Sequence, residues 1–194
     1  PHAVSGLWNL SGGLSTSGTA VEWFARASGY STGGVSGYDG IEALLLDAER
    51  SNGDVPIFLP YLSGERAPLW EPGLRGAFIG LSLDHGRKEM ARAVVESIAF
   101  GLRLAADRIR GGGFDIRLAR CSGGAARDAS LCAIKADVLG LPVEVPASPE
   151  CEAMGDACAC AVALGERSSL AEASASMVAV GARYEPDPRR VHAI

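Results

Sequence analysis

The sequence predicts an α/β fold, and three observations support this prediction. Residues 116–145 have the pattern of a strand, a glycine turn, a helix, a capping glycine and a second strand. This pattern is typical of a crossover connection between two parallel strands of one sheet. Other short apolar segments alternate with helical patterns along the chain, and a hydrophobic content of 47% is sufficient for a buried core.

The crossover unit has clear internal boundaries. Its first strand covers the apolar residues of 116–121, and Gly123 and Gly124 interrupt it. Two glycines allow a sharp turn and let a partner approach the backbone N–H groups without an intervening Cβ. The helix is predicted to begin near Ala126 and to end at Gly140, which fits the left-handed C′ position. The apolar stripe of the helix consists of Leu131, Ile134, Val138 and Leu139.

The glycine turn admits two interpretations. A helix N-terminus behind a glycine turn presents N–H groups and the positive end of a dipole, which favours an anion or a nucleotide. Gly-Gly turns are also common as plain connections between a strand and a helix in α/β folds. The local pattern leaves both interpretations open.

The composition argues against several classes of function. The formal charge of −5 and the lack of a basic stripe argue against a nucleic-acid partner. No apolar run approaches the roughly 20 residues of a membrane span, and the first residues lack the pattern of a signal peptide, so we expect a cytoplasmic protein. The five cysteines form no C-x-x-C pair, which argues against zinc and favours reduced thiols packed as small hydrophobic residues.

The N-terminal part is predicted to begin with a strand over residues 4–10 and a helix over 15–27. The inward face of this helix consists of Val21, Phe24 and Ala25. Ser15 or Thr16 is expected to cap it. Gly18 has two interpretations, because a glycine in the first turn either marks a frayed start or permits the close approach of a ligand.

The middle of the chain contains shorter elements. We predict a surface loop over residues 31–40, a helix over 41–50 and a turn at Asn52-Gly53. Strands are predicted over residues 55–59 and 76–83.

A long irregular segment, residues 60–75, separates these two strands. Loops of this length are usually functional or disordered, and the aromatic residues of this one argue against disorder. Glu65, Arg66 and Arg75 are polar groups that either serve a site or pair with one another. The sequence does not decide between these two interpretations.

Three more helices are predicted in the rest of the chain. The longest covers residues 88–110, with Asp84 as its N-cap and glycines 111–113 after its end. A later helix carries a ridge of small residues that permits close packing of another backbone: Ala153, Ala157, Ala161 and Gly165. The last helix begins at a capping box formed by Ser169 and Glu172, and a proline-rich surface end follows it.

The segment GAFIGLSLDHGRKEMARAVVE, residues 76–96, resembles the second signature of the FGGY family of carbohydrate kinases. Two flanking segments agree with this resemblance, FLPYLSGERAP before it and SGGAARD after it. The likeness extends from Leu10 to Pro188, and the segment PYLSGERAPLW is most similar to the xylulokinase and gluconokinase branches.

The resemblance implies a fold of two actin-like, ribonuclease-H-like α/β domains with a cleft between them. Residues 1–194 are then expected to form the C-terminal, nucleotide-side domain, with a mixed sheet and helices on both faces. This domain is expected to lack its first strands and the N-terminal sugar-binding domain.

The resemblance also implies nucleotide-binding residues for ATP, which brings Mg²⁺ with it. Gly18 corresponds to a nucleotide-contacting glycine, and Glu22 corresponds to a polar contact one turn later. Gly123 and Gly124 resemble the adenosine-binding turn, and Asp128 stands where an Asn or similar residue contacts the nucleoside. On the residues themselves, Asp128 is expected in the first turn of the following helix, facing the same space.

The chain departs from the family pattern in one place and lacks part of it. Asp156 stands where alanine is common, so it either alters the adenine wall or points to solvent. The resemblance places the catalytic Asp base and the phosphate loops upstream of these residues. We therefore expect no catalytic residue in this chain and no activity of the isolated chain. The sugar substrate is expected to bind through the other domain. Exposed apolar surface along the first strand and the long loop is expected to favour a homodimer.

Two alternatives remain beside the kinase domain. One is a non-catalytic actin-like module that binds a nucleotide or acts as a scaffold. The other is an unrelated Rossmann-like protein, which is disfavoured because no G-x-G-x-x-G follows a first strand.

Overall fold

The computed structural model describes residues 2–4, 6–10, 13–30, 40–51, 53–148 and 150–191. The chain divides into two compact units, one of residues 12–115 and one of residues 1–11 with 116–194. The predicted surface loop lies outside the described residues except for Gly40, and so does Asn52 of the predicted turn.

The described part of the unit of residues 12–115 contains three helices and two paired strands. They are α1 (Gly18–Ala27), α2 (Ile41–Arg50), β1 (Ile57–Leu59), β2 (Ala77–Ile79) and α3 (Arg87–Gly111). The strands β1 and β2 pair antiparallel, and α3 packs against α1, α2 and β1. The periodicity of α2 and α3 therefore identified the two helices that build most of this unit.

An aromatic cluster forms the core between α1 and the hairpin. The ring of Trp23 stacks on Phe58 with centroids 5.9 Å apart, and Phe58 lies 4.6 Å from Phe78. Phe24 contacts Phe78 and Tyr30. Such pairs contribute about 0.5–1.5 kcal/mol beyond the burial of their area. The predicted inward face of α1 is confirmed, since Val21, Phe24 and Ala25 are buried.

The predicted start of α1 and the predicted N-caps of α1 and α3 are wrong, since Ser17 and Gly86 hold the N-cap positions. Helix α1 begins at Gly18, since the N–H of Ser15 donates to Glu65 and the hydroxyl of Thr16 donates to the carbonyl of Pro60. Helix α3 has Gly86 rather than Asp84 at its N-cap, and a Glu89 carboxylate oxygen accepts from the Gly86 N–H at 2.9 Å.

The long irregular segment is held by backbone contacts of its charged residues. Glu65 is only 4% exposed, and its Oε1 accepts from the N–H of Ser15 and of Arg66, each at 2.8 Å. Arg66 donates to the carbonyl of Leu14, and Arg75 donates to carbonyls in its own loop. Within the described residues neither arginine side chain pairs with Glu65, which argues against the interpretation that these groups pair with one another.

The second unit is built on a three-stranded mixed sheet in the order β3-β4-β5. Its strands are β3 (Ala119–Arg120), β4 (Val143–Pro146) and β5 (Val180–Tyr184). Strands β3 and β4 are parallel, as the crossover prediction requires, and β4 and β5 are antiparallel. The crossover helix α4 (Ala129–Leu139) packs on β4 and β5. Gly140 ends α4 in the left-handed region at φ 62°, as predicted.

A buried carboxylate joins all three strands of this sheet. Glu144 on β4 is 8% exposed. It accepts from Arg120 of β3 at 3.2 Å and from Arg183 of β5 at 3.0 Å. The two arginines compensate a charge whose burial alone is costly. Because one residue of each strand contributes, this row also fixes the register of the sheet.

The remaining elements include both confirmed and wrong predictions. Helices α5 (Cys151–Ala163) and α6 (Leu170–Met177) pack together, and Ser169 accepts from the Glu172 N–H as the capping box requires. The short helix α7 covers Pro188–Val191, where a surface end was predicted.

Two expectations for this unit, one on helix packing and one on a strand, differ from what its described residues show. Along the small-residue ridge Ala161 is buried, whereas Ala153, Ala157 and Gly165 are exposed, so the close packing that the ridge permits is not observed at those three positions among the described residues. The described part of residues 4–10 forms no strand. Apolar side chains are exposed both there and in the long irregular segment, Trp8 at 82% and Trp70 at 73%. Self-association through them stays a prediction.

Candidate functional site

The candidate site is the turn that joins β3 to α4. Gly123 has φ 74°, in the region that favours glycine, and Gly124 begins a single 3₁₀ turn, Gly124–Ala126. Both glycines are exposed, and a Cβ built on either would meet no atom within 4 Å. The turn therefore presents bare backbone to open space rather than to packed side chains.

Asp128 lies at the end of this turn, but not in the position predicted from the sequence. It is the N-cap of α4, and its Oδ1 accepts from the N–H of Leu131 at 2.7 Å. The 3₁₀ turn delays the start of α4 to Ala129, so the helix predicted from Ala126 is wrong by three positions. Asp128 thus has a structural role at the candidate site, because its carboxylate accepts a hydrogen bond from an N–H group at the start of α4 that has no partner within the helix.

We expect Asp128→Ala to destabilise the chain by about 1 kcal/mol, the usual cost of a lost N-cap. Asp128→Asn is the matched control, because asparagine caps about as well as aspartate. Urea unfolding of both variants measures the difference. Equal stability of the alanine and asparagine variants would contradict a capping role.

Two cysteines and a lysine lie next to the turn. Cys121 follows β3, and the Lys135 Nζ lies 3.0 Å from its sulfur. Cys132, in the first turn of α4, is fully buried and contacts the carbonyl of Ala126 at 3.7 Å. A hydrogen bond from Cys132, followed by the hydrogen bond and charge of Lys135, lowers the pKa of the Cys121 thiol well below its usual range. The hydrogen bond to Cys121 and burial raise the pKa of Cys132.

This group was not predicted from the sequence, because the five cysteines were interpreted as packed hydrophobic residues. A usable signal was present in the crossover helix. Lys135 lies one turn after Cys132 on a face that is otherwise apolar, and it is only 4% exposed. A buried lysine requires a partner, and the nearest polarisable group in the strand before the helix is Cys121.

The other two predicted nucleotide residues lie in the unit of residues 12–115. Gly18 is the first residue of α1 and is exposed, and a Cβ placed on it would have no atom within 4 Å. Glu22 follows one turn later and is half-buried. The structure thus places Gly18 and Glu22 on one helix, and Gly123, Gly124 and Asp128 on one loop.

Three further features bear on the predicted partners. Asp156 is exposed on α5, in agreement with the interpretation that it points to solvent. Among the described residues there is no group of three or more His, Cys, Asp or Glu side chains that could hold a metal ion. None of the helices in the described ranges is long and apolar enough to cross a bilayer.

Comparisons with known proteins identify the family and agree with the fold. The C-terminal domain model of the FGGY family of carbohydrate kinases matches residues 1–164. A glycerol kinase of Gloeobacter violaceus is 38% identical over 164 residues, which are 84% of this chain and 32% of the relative.

Solved structures extend the likeness to the fold. A gluconate kinase from Lactobacillus acidophilus superposes with a TM-score of 0.81 at 26% identity over 93% of this chain and 36% of that one. A xylulose kinase from Rhodospirillum rubrum gives a TM-score of 0.76 at 29% identity, with the same coverage of 93% and 36%. The predicted actin-like, ribonuclease-H-like α/β fold is confirmed.

The chain spans about a third of the length of the relatives that it matches. Their names include glycerol, gluconate and xylulose kinases, so the xylulokinase or gluconokinase branch stays a prediction. Since the family model covers residues 1–164, the chain belongs to the FGGY family of carbohydrate kinases, as its C-terminal domain.

Proposed function

We propose that this chain binds the adenosine part of ATP or ADP at the turn of Gly123 and Gly124. The observation that carries the proposal is the open space beside both glycines, into which no side chain projects. A flat purine or a ribose can approach such a backbone closely, since no Cβ holds it away.

The electrostatics of the turn favour the nucleoside over the phosphates. The carboxylate of Asp128 already occupies the N-terminus of α4, where an anion would otherwise be stabilised. A second anion would meet like-charge repulsion there, whereas a ribose hydroxyl or an adenine amino group can donate to a carboxylate oxygen. Gly18 and Glu22 of α1 are proposed as further nucleotide contacts, on the family resemblance alone.

In the whole protein, this domain would hold ATP while a sugar hydroxyl takes its γ-phosphoryl group. Such a transfer depends on positioning and on the neutralisation of phosphate charge, which Mg²⁺ carried by the nucleotide supplies. We propose a xylulose-like or gluconate-like polyhydroxy substrate, bound by the sugar-binding domain. The catalytic base is assigned to that domain as well, so the isolated chain is expected to bind without turnover.

Isothermal titration calorimetry of the folded chain tests this proposal. We expect saturable binding of ATP and ADP at ligand concentrations up to about 1 mM and no binding of pyrophosphate, which lacks the adenosine part. A folded chain that binds neither nucleotide would overturn the proposal and leave a scaffolding role. Sugar-dependent release of ADP by a chain that also carries the sugar-binding domain tests the kinase activity.

A further inference from the structure

We propose that Cys121 and Cys132 form a redox-active dithiol site, which a peroxide oxidises to a disulfide. The site adjoins the glycine turn, since the Cys132 sulfur lies 3.7 Å from the carbonyl oxygen of Ala126. It combines an attacking sulfur, a resolving sulfur and a buried cation within one strand end and one helix.

The backbone holds these three groups in place. The N–H of Cys121 donates to the carbonyl of Glu144 on the neighbouring strand at 2.9 Å, which fixes the end of β3. Cys132 and Lys135 lie one turn apart on α4, and both are buried. The Lys135 ammonium lies 3.0 Å from the Cys121 sulfur. The single thiol proton of Cys132 has two acceptors, the carbonyl oxygen of Ala126 at 3.7 Å and the Cys121 sulfur.

The surroundings make the two sulfurs unequal. Cys121 is half-buried and accepts from both Cys132 and Lys135, which stabilises its thiolate and lowers its pKa. Cys132 is fully buried, and the nearby negative charges of Cys121 and Asp128 help to raise its pKa, so it stays a thiol. A thiolate that solvent can reach beside a protonated thiol is the arrangement of an attacking and a resolving cysteine.

The proposed reaction is balanced in two steps. The Cys121 thiolate attacks one oxygen of hydrogen peroxide, the O–O bond breaks, and the leaving hydroxide takes a proton from solvent. The Cys132 sulfur then attacks the sulfenic acid of Cys121, the S–O bond breaks, and water leaves with the thiol proton. Overall, two thiols are oxidised to one disulfide and the peroxide is reduced to water.

The disulfide between Cys121 and Cys132 would enclose the candidate nucleotide turn. Gly123, Gly124 and Asp128 all lie between Cys121 and Cys132 in the chain. A bond between the two sulfurs therefore closes a covalent loop around the turn, which restricts its conformations.

The test uses the reduced chain at pH 7 and a small excess of hydrogen peroxide, followed by peptide mapping with mass spectrometry. We expect the loss of two hydrogen atoms in a linked pair of peptides that contain Cys121 and Cys132. In the Cys132→Ser variant we expect a sulfenic acid at Cys121, trapped by dimedone. The exposed Cys160 provides the control, since Cys160→Ser should leave the disulfide unchanged.

The effect of Lys135 on the Cys121 thiol is tested separately, through the rate and the pH profile of Cys121 alkylation. In the wild-type chain we expect iodoacetamide to alkylate Cys121 about tenfold faster than Cys160 at pH 7, because an ordinary thiol is only a few per cent ionised there. In Lys135→Met, the midpoint of the pH profile of Cys121 alkylation should move upward. A disulfide at other cysteines, or equal alkylation rates of Cys121 and Cys160, would overturn the proposal.

Discussion

Gly124→Val is expected to weaken nucleotide binding more than a hundredfold while the chain keeps its fold. A valine side chain would fill the open space through which a purine or ribose approaches the turn. The fold should tolerate it, because a Cβ at Gly124 meets no atom within 4 Å and the residue does not need a positive φ. Calorimetry with ADP measures the affinity, and circular dichroism measures the fold.

The matched control for this variant is Gly111→Val, at the end of α3. Gly111 also has no atom within 4 Å of a Cβ and no positive φ, but it belongs to no predicted nucleotide contact. We expect ADP affinity within about a factor of two of the wild-type value, since surface substitutions that remove no specific contact are usually small in effect. Unchanged binding in Gly124→Val would refute the turn as the adenosine site.

Gly64→Ala is expected to destabilise the unit of residues 12–115 by about 3 kcal/mol or more. Gly64 has φ 77°, where an alanine is strained. In addition, its Cβ would lie 2.6 Å from the carbonyl oxygen and 2.8 Å from the Cα of Pro72. Both are backbone atoms, so the long irregular segment would have to open to relieve the contact.

Gly80→Ala separates the two causes. Gly80 has φ 79°, nearly the same as Gly64, but a Cβ there meets no atom within 4 Å. It should cost only about 1 kcal/mol, the strain of the left-handed backbone alone. Urea unfolding followed by tryptophan fluorescence compares the variants, since Trp23 and Trp70 lie in the same unit. Equal losses would show that the contact with Pro72 carries no energy.

Elements defined by local periodicity could be predicted from the sequence. The helix predicted over residues 41–50 is observed at those residues, and the long helix is observed within one residue at each end. Strand β5 was missed, although Val180, Ala182 and Tyr184 alternate along it. Its existence depends on pairing with β4, which is distant in sequence, so the local pattern looked like a surface end.

The candidate site could be predicted only in part, because only some of its features follow from the local pattern of residues. An exposed glycine turn follows from two adjacent glycines between a strand and a helix, and Gly123 and Gly124 form one. The capping role of Asp128 could not be predicted, because it depends on the 3₁₀ turn that delays α4. The contact of Lys135 with Cys121 depends on how the helix returns over the strand end, which no local pattern records.

The ion pairs of Glu144 with Arg120 and Arg183 determine where this domain can be truncated. The family model ends at residue 164, yet β5 begins at Val180. A chain truncated at the family boundary would leave β4 without its antiparallel neighbour and deprive a buried carboxylate of one of its two counter-ions. The end of the family match is therefore not a structural boundary, because the final strand is part of the same sheet as β3 and β4.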